Sequence, residues 1–282
     1  MSYKNKLVAA MSLAMLAAGV SVVRANPAIV STIENAKSGS TVSVSGTYSG
    51  ITGPITVPSG VTVSGSATFE FSATGDDGFK IESTSSSVKL SGFTVTGANH
   101  GILVYGNSCT VSGVTTHGNY NDGIIIENTA ANNTISGCTS YNNDDTQNSG
   151  NNADGVGDKQ NTGSGNTWNN VTVYDNADDG FDFERSKSSS GITCNNCLAY
   201  SNGTGKNGNG NGFKMGYSGY TNPNTYNYCT AHNEKGSSPH GFSTNNASSS
   251  SKIHLSHCYS YSNGSADVLG SAVLTSCTMQ TN

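Results

Sequence analysis

Beyond residue 40 the apolar residues fall in short runs separated by clusters of Gly, Asn and Ser, and no run has the length or period of a helix. Two motifs alternate. The first is a glycine followed by an apolar residue: "GFKI" at 78, "GILV" at 101, "GIII" at 123, "GVGD" at 155, "GFDF" at 180, "GFKM" at 212 and "GFST" at 241. The second follows some 13–17 residues later, as in "SGFTVTGAN" at 91, "SGCTSYNN" at 136, "NNCLAYSN" at 195 and "SHCYSYSN" at 256. The first-motif glycines are 23, 22, 32, 25, 32 and 29 residues apart. A repeat of this period built from short strands predicts an all-β fold, a single-stranded right-handed parallel β-helix in which equivalent residues stack in columns.

Aligning the repeats gives the columns. The residue after each glycine (Phe79, Ile102, Ile124, Val156, Phe181, Phe213, Phe242) is apolar on every rung and is expected to point inward. The next residue then points outward: Lys80, Leu103, Ile125, Gly157, Asp182, Lys214, Ser243. The residue before the glycine forms a third column: Asp122, Asp154, Asp179, Asn211, His240. In the second motif Phe93, Val114, Cys138, Val171, Cys197, Cys229, Cys258 and Cys277 share a position. Five of the seven cysteines thus alternate with Phe and Val, which predicts core packing rather than disulfides or a thiolate metal site. Five residues on, Asn119, Asn143, Asn176, Asn202, Asn263 and Asn282 predict a hydrogen-bonded turn ladder, with Glu234 as a break. Tyr141, Tyr174, Tyr200, His232 and Tyr261 predict an outer aromatic stack.

The ends differ from the repeats. Residues 1–25 have a basic start (Lys4, Lys6), a short apolar stretch and Ala25 after "VVR", the features of a cleaved export signal; residues 26–282 then form the β-helix domain. "NPAIVSTIENAKSGSTVSVSG", from residue 26, predicts a short helix capped by Asn26, with Pro27 at its first position, covering the open first rung. Without the signal the chain has 10 basic and 18 acidic residues, a formal net charge of −8. That argues against nucleic acid as a partner, and no later segment predicts a membrane span. The chain is expected to be secreted and monomeric.

The acidic residues are not evenly spread. Columns and rungs together bring Asp154, Asp178, Asp179 and Asp182 onto one patch, with Lys214 one rung beyond Asp182. Packed carboxylates repel unless a positive charge intervenes. An all-oxygen set favours Ca²⁺, and the alternative is a solvated acidic face neutralised by Lys214. The segments "ADGVGDKQNTGSGN", "NADDGFDF", "NCLAYSNG" and "GNGNGFKMG" resemble polysaccharide lyase family 9, pectate lyases with a right-handed β-helix, over about residues 150–265. The resemblance implies that Asp154, Asp178, Asp179 and Asp182 bind Ca²⁺ and that Lys214 is the base that removes the C5 proton in β-elimination from polygalacturonate. It also implies an alkaline optimum. Lys159, Arg185 and Lys206 are candidate contacts for substrate carboxylates. Val156 and Gly157 depart from the family's usual residues, and Asp158 adds a charge beside Lys159. A hydrolase on the same fold, a lyase for another acidic polysaccharide, and a non-enzymatic carbohydrate-binding solenoid remain alternatives.

Overall fold

A computed structural model describes residues 27–72, 74–184 and 191–280. Residues 1–25, expected to be an export signal, and Asn26, Arg185 and Asn282 lie outside the described residues. The chain winds through three parallel sheets of ten, ten and nine strands. The first runs from Thr41–Val44 to Val273–Thr275, the second from Thr47–Ile51 to Thr278–Met279, and the third from Ile55–Thr56 to Val268–Leu269. Among the described residues each rung but the last supplies one strand to each sheet, so the architecture is the parallel β-helix that the periodicity predicts.

The corners between the first two sheets account for the second motif. Gly137, Asn170, Asn196, Tyr228 and His257 occupy the same corner with φ of 60°, 53°, 53°, 55° and 54°. This left-handed conformation suits Gly and Asn, which is why "SG" and "NN" recur there. Two rungs use a bulky residue instead, and Tyr228 and His257 stack on each other with ring centroids 4.8 Å apart.

Strand register places the first-motif column as expected. Phe181 pairs with Phe213 and Phe213 with Phe242, with rings 4.5 and 4.8 Å apart in a fully buried stack. The cysteine column lies in the same core. All seven cysteines are free, Cys109 and Cys194 included, and only Cys277, on the last rung, is partly exposed. The aromatic column stacks from His117 through Tyr141, Tyr174, Tyr200 and His232 to Tyr261. The asparagine ladder runs from Asn119 to Asn143, Asn176 and Asn202, each side-chain amide donating to the next side-chain oxygen at 2.8–3.0 Å. Glu234 does not break it. Its carboxylate accepts from the backbone and side-chain amides of Asn202 at 2.7 and 3.1 Å, and its own backbone N–H donates to Asn263. A carboxylate has the acceptor oxygens this position needs; it lacks only the amide's donor.

The N-terminal helix α1 (Ala28–Glu34) buries Val30 and Ile33 against the first rung. It is shorter than the quoted segment, whose remainder already supplies the strand Thr41–Val44. Pro27 sits just outside it in an extended conformation (ψ 144°), and no side chain among the described residues caps it. At the other end Leu269, Val273 and Leu274 are about half exposed, and among the described residues nothing covers the last rung. No helix of the described residues is long and apolar enough to cross a membrane.

Candidate cation and lysine site

The column before the glycine is a second ladder, made of carboxylates. Asp122 Oδ1 accepts from the Asp154 backbone N–H at 3.2 Å, Asp154 Oδ1 from that of Asp179 at 2.8 Å, and Asp179 Oδ1 from that of Asn211 at 2.6 Å. Each aspartate thereby ties its rung to the next with one oxygen and keeps the other for the outer face. Asp178 projects beside this column and accepts the Asn209 backbone N–H at 2.8 Å. Asp182 lies three residues beyond Asp179, in register with Gly157 on one side and Lys214 on the other.

Asp154, Asp178 and Asp179 each bring a carboxylate oxygen within 4.8 Å of the others, and all three are buried. Two ammonium groups stand against them. Lys214 Nζ is 3.3 Å from Asp182 Oδ2 and 3.5 Å from both Asp179 and Glu184. Lys159 Nζ is 2.6 Å from Asp154 Oδ2, 3.2 Å from Asp122 and 3.5 Å from Asp182. Six carboxylates (Asp122, Asp154, Asp178, Asp179, Asp182 and Glu184) therefore share two lysines.

The imbalance appears in the proton affinities. Burial, followed by the Asp179 charge, pushes Asp178 up to about 8. Burial, with Asp182 adding to it, lifts Asp179 to about 6 against the pull of Lys214. Burial also drives Asp154 well above the ordinary carboxylate range, although Lys159 opposes this. Asp182, touching both lysines, is held below that range despite its burial. For Lys214, burial alone would favour the neutral amine, but Asp182, Asp179, Asp154 and Glu184 outweigh it and raise its pKa. Asp179 Oδ2 is buried with no hydrogen-bond partner. An oxygen-only donor set, excess negative charge and a buried carboxylate oxygen with no hydrogen bond, 3.5 Å from the Lys214 ammonium, fit a hard divalent cation.

The structure thus brings Asp154, Asp178, Asp179, Asp182 and Lys214 together as expected, and adds Lys159 to the same cluster. Lys206 is exposed and pairs with no acid among the described residues. Asp158 is not a surface charge beside Lys159: it turns inward, is fully buried, and accepts from Thr162 and Asn166. Strand alternation puts it on the inner face with Val156. Asp122, Glu184 and Gly157 were not singled out as site residues. Gly157 matters because a Cβ there would lie 2.8 Å from Lys159 Cε and 3.3 Å from Ile125 Cγ1; its absence is what lets the lysine stem cross the sheet to the acids.

Two hollows border this cluster. One of about 220 Å³ is lined by Glu127, Lys159, Gln160, Glu184 and Tyr217, and one of about 120 Å³ includes Asn209, Asn211, His240, Ser243 and Asn245. A second cluster, the sulfurs of Cys194, Cys197 and Cys229, also lies within 4.8 Å, but it is sealed in the apolar core away from either hollow.

A right-handed parallel β-helix with an acidic-lysine site on one outer face defines the class. Residues 17–272 match the model of the "Pel9A-like, right handed beta helix region", and the chain belongs to that family. It is 36% identical over 132 residues to "Pectate lyase L" of Dickeya chrysanthemi, a match covering 44% of this chain and 31% of that protein. The chain therefore aligns with about a third of that curated relative's length. The crystal structure of pectate lyase Pel9A superposes with a TM-score of 0.76 at 26% identity, covering 89% of this chain and 71% of Pel9A. A structure titled "Rhamnogalacturonan lyase" has a TM-score of 0.71 at 21% identity, over 84% of this chain and 69% of that one, a likeness of fold.

Proposed function

We propose that this protein is a secreted, calcium-dependent pectate lyase that cleaves α-1,4-linked polygalacturonate by β-elimination. The observation that carries the reading is the placement of Lys214 Nζ 3.3 Å from Asp182, one rung beyond Asp178 and Asp179 and two beyond Asp154, three buried carboxylates whose oxygens lie within 4.8 Å. The names of the Dickeya relative and of the Pel9A structure support it.

Asp154, Asp178, Asp179 and Asp182 would hold the calcium ion, which supplies positive charge to bind a uronate carboxylate and acidify the adjacent C5–H. Lys214, as the free amine, takes the C5 proton. The electron pair left behind forms the C4–C5 double bond as the C4–O4 bond breaks. O4 leaves with its electrons and is protonated by solvent, and a 4,5-unsaturated sugar remains. Lys214 must be neutral to act, and its acidic neighbours hold it protonated beyond the ordinary lysine range, so the rate is expected to rise into alkaline pH. Lys159 lines the larger hollow, where a second uronate carboxylate could meet it; Arg185 follows Glu184 in sequence and remains a candidate for the same task.

The test is incubation of the purified protein with polygalacturonate, with calcium or with chelator, alongside Lys214→Ala. Ultraviolet absorbance from the conjugated product is expected only with calcium and only with Lys214 intact. A second reading has one observation in its favour: Asp178, raised to about 8, stands near an ionised Asp182, and an acid beside a carboxylate is what glycoside hydrolysis uses. Saturated products formed in chelator would establish that reading and overturn the lyase.

A further inference from the structure

Lys159 occupies an unusual place for a substrate-binding group. Its shortest contact, 2.6 Å, is to Asp154 Oδ2, one of the three carboxylates grouped closely enough to share a cation. It also reaches Asp182 at 3.5 Å. Its other partner, Asp122, lies 3.2 Å away outside that set of ligands, and is buried. Apart from Lys159, the charge that Asp122 meets among the described residues is His100 Nε2, at 3.8 Å. The ammonium therefore has two adjoining seats, one on the cation ligands and one beside them. The gap left by Gly157 allows the side chain to reach both.

We propose that Lys159 is a tethered counter-ion that competes with the divalent cation for Asp154 and Asp182, and that withdraws onto Asp122 when the cation binds. The inference rests on reading Asp154, Asp178, Asp179 and Asp182 as cation ligands. In the metal-free protein the lysine limits the repulsion among these carboxylates. Its cost is a weaker apparent affinity for the cation, because a bound lysine must be moved first. Its withdrawal is short and never leaves the ammonium unpaired, because Asp122 already contacts it. Lys159 also borders the larger hollow, so cation binding would free a positive charge from Asp154 beside the place where an anionic sugar would lie.

The experiment is calorimetric titration of the full chain with calcium alone, without substrate, at fixed pH and ionic strength. Lys159→Met, which keeps the length and removes the charge, is expected to bind calcium on the order of tenfold more tightly. Lys159→Arg is expected to stay near the parent. Asp122→Asn removes the second seat and is expected to weaken calcium binding in the parent, with a much smaller effect when combined with Lys159→Met. Circular dichroism in chelator checks that each variant is folded. Calcium binding by the parent with no gain in Lys159→Met overturns the competition. An Asp122→Asn effect of equal size in both backgrounds overturns the withdrawal onto Asp122, leaving only a general field. No calcium binding by parent or variants overturns the cation site itself and this inference with it.

Discussion

The crowding of acids has a consequence for stability that needs no substrate to observe. A carboxyl group whose pKa is higher folded than unfolded binds its proton more tightly in the fold. Its contribution is whole below its unfolded value and is lost as pH rises through the folded value. Asp178, with an ordinary value of 3.8 and a folded value of about 8, spans the window from about pH 4 to about pH 8. Asp179, at about 6, acts over the lower half of it. Each tenfold change in proton affinity corresponds to about 1.4 kcal/mol, so the Asp178 difference is worth several kcal/mol. At about 2–4 °C per kcal/mol for a chain of this size, the melting temperature in chelator is expected to fall on the order of 10 °C between pH 4 and pH 8. Glu234, also raised to about 8 by burial, and His100, raised by Asp77 and Asp122 against its own burial, push the same way. Asp77 and Asp182 have lowered values and lose their contribution only as pH falls through them, below this window. Saturating calcium should remove the part due to Asp154, Asp178 and Asp179 and leave the part due to Glu234 and His100. Asp178→Asn should make the metal-free decline shallower, leaving the part due to Glu234 and His100, and should reduce the calcium response. Scanning calorimetry across the pH range measures all of this. A melting temperature that rises or stays level in chelator, or a decline that neither calcium nor Asp178→Asn reduces, refutes the account of an under-compensated acidic site.

Three further outcomes are expected. Lys214→Ala should lower kcat by roughly 10²–10⁴-fold while calcium binding measured by calorimetry persists, since Lys214 is not among the oxygen donors. Glu234→Gln should raise the melting temperature above about pH 8 with little change at pH 5, because Gln keeps the acceptor for Asn202 and cannot ionise. Tyr174 is stacked at 4.9 Å on both Tyr141 and Tyr200; Tyr174→Ala should cost about 1–3 kcal/mol by denaturant unfolding and leave KM for polygalacturonate unchanged, whereas a rise in KM would make the aromatic stripe a sugar platform.

The fold was legible because a solenoid repeats its constraints. A corner that needs a left-handed residue recurs on each rung, and so does the inward position after each first-motif glycine; one sequence therefore carries many copies of the same signal. The cation ligands were legible for the same reason: Asp154 and Asp179 repeat in the column before the glycine, and Asp182 departs from an outward column that holds Leu103 and Ile125 on earlier rungs. Lys159 was placed near the site but its partners were not, because a long flexible side chain leaves no periodic trace. A signal did exist: Gly157 is the sole glycine in its outward column, and a missing side chain there marks a space that something else fills. Glu234 was taken for a break because a charge in an amide ladder is unusual. The ladder's demand at that rung is for acceptors, and burial keeps much of the carboxyl protonated near neutral pH.

The same column also explains how a regular scaffold acquires chemistry at low structural cost. Asp122, Asp154 and Asp179 each spend one oxygen on the backbone N–H of the following rung. An asparagine could supply that acceptor equally well: in the neighbouring ladder the side-chain oxygens of Asn143 and Asn176 accept a backbone N–H too, there from the preceding rung. Choosing aspartate keeps the backbone bond and adds a charged second oxygen on the outer face. Register then fixes the spacing of those oxygens as rigidly as it fixes the strands. Substituting Asp154 or Asp179 by Asn should therefore preserve the rungs and remove the cation, whereas Ala should damage both. The contrast between Asn and Ala variants separates the column's structural role from its chemical one.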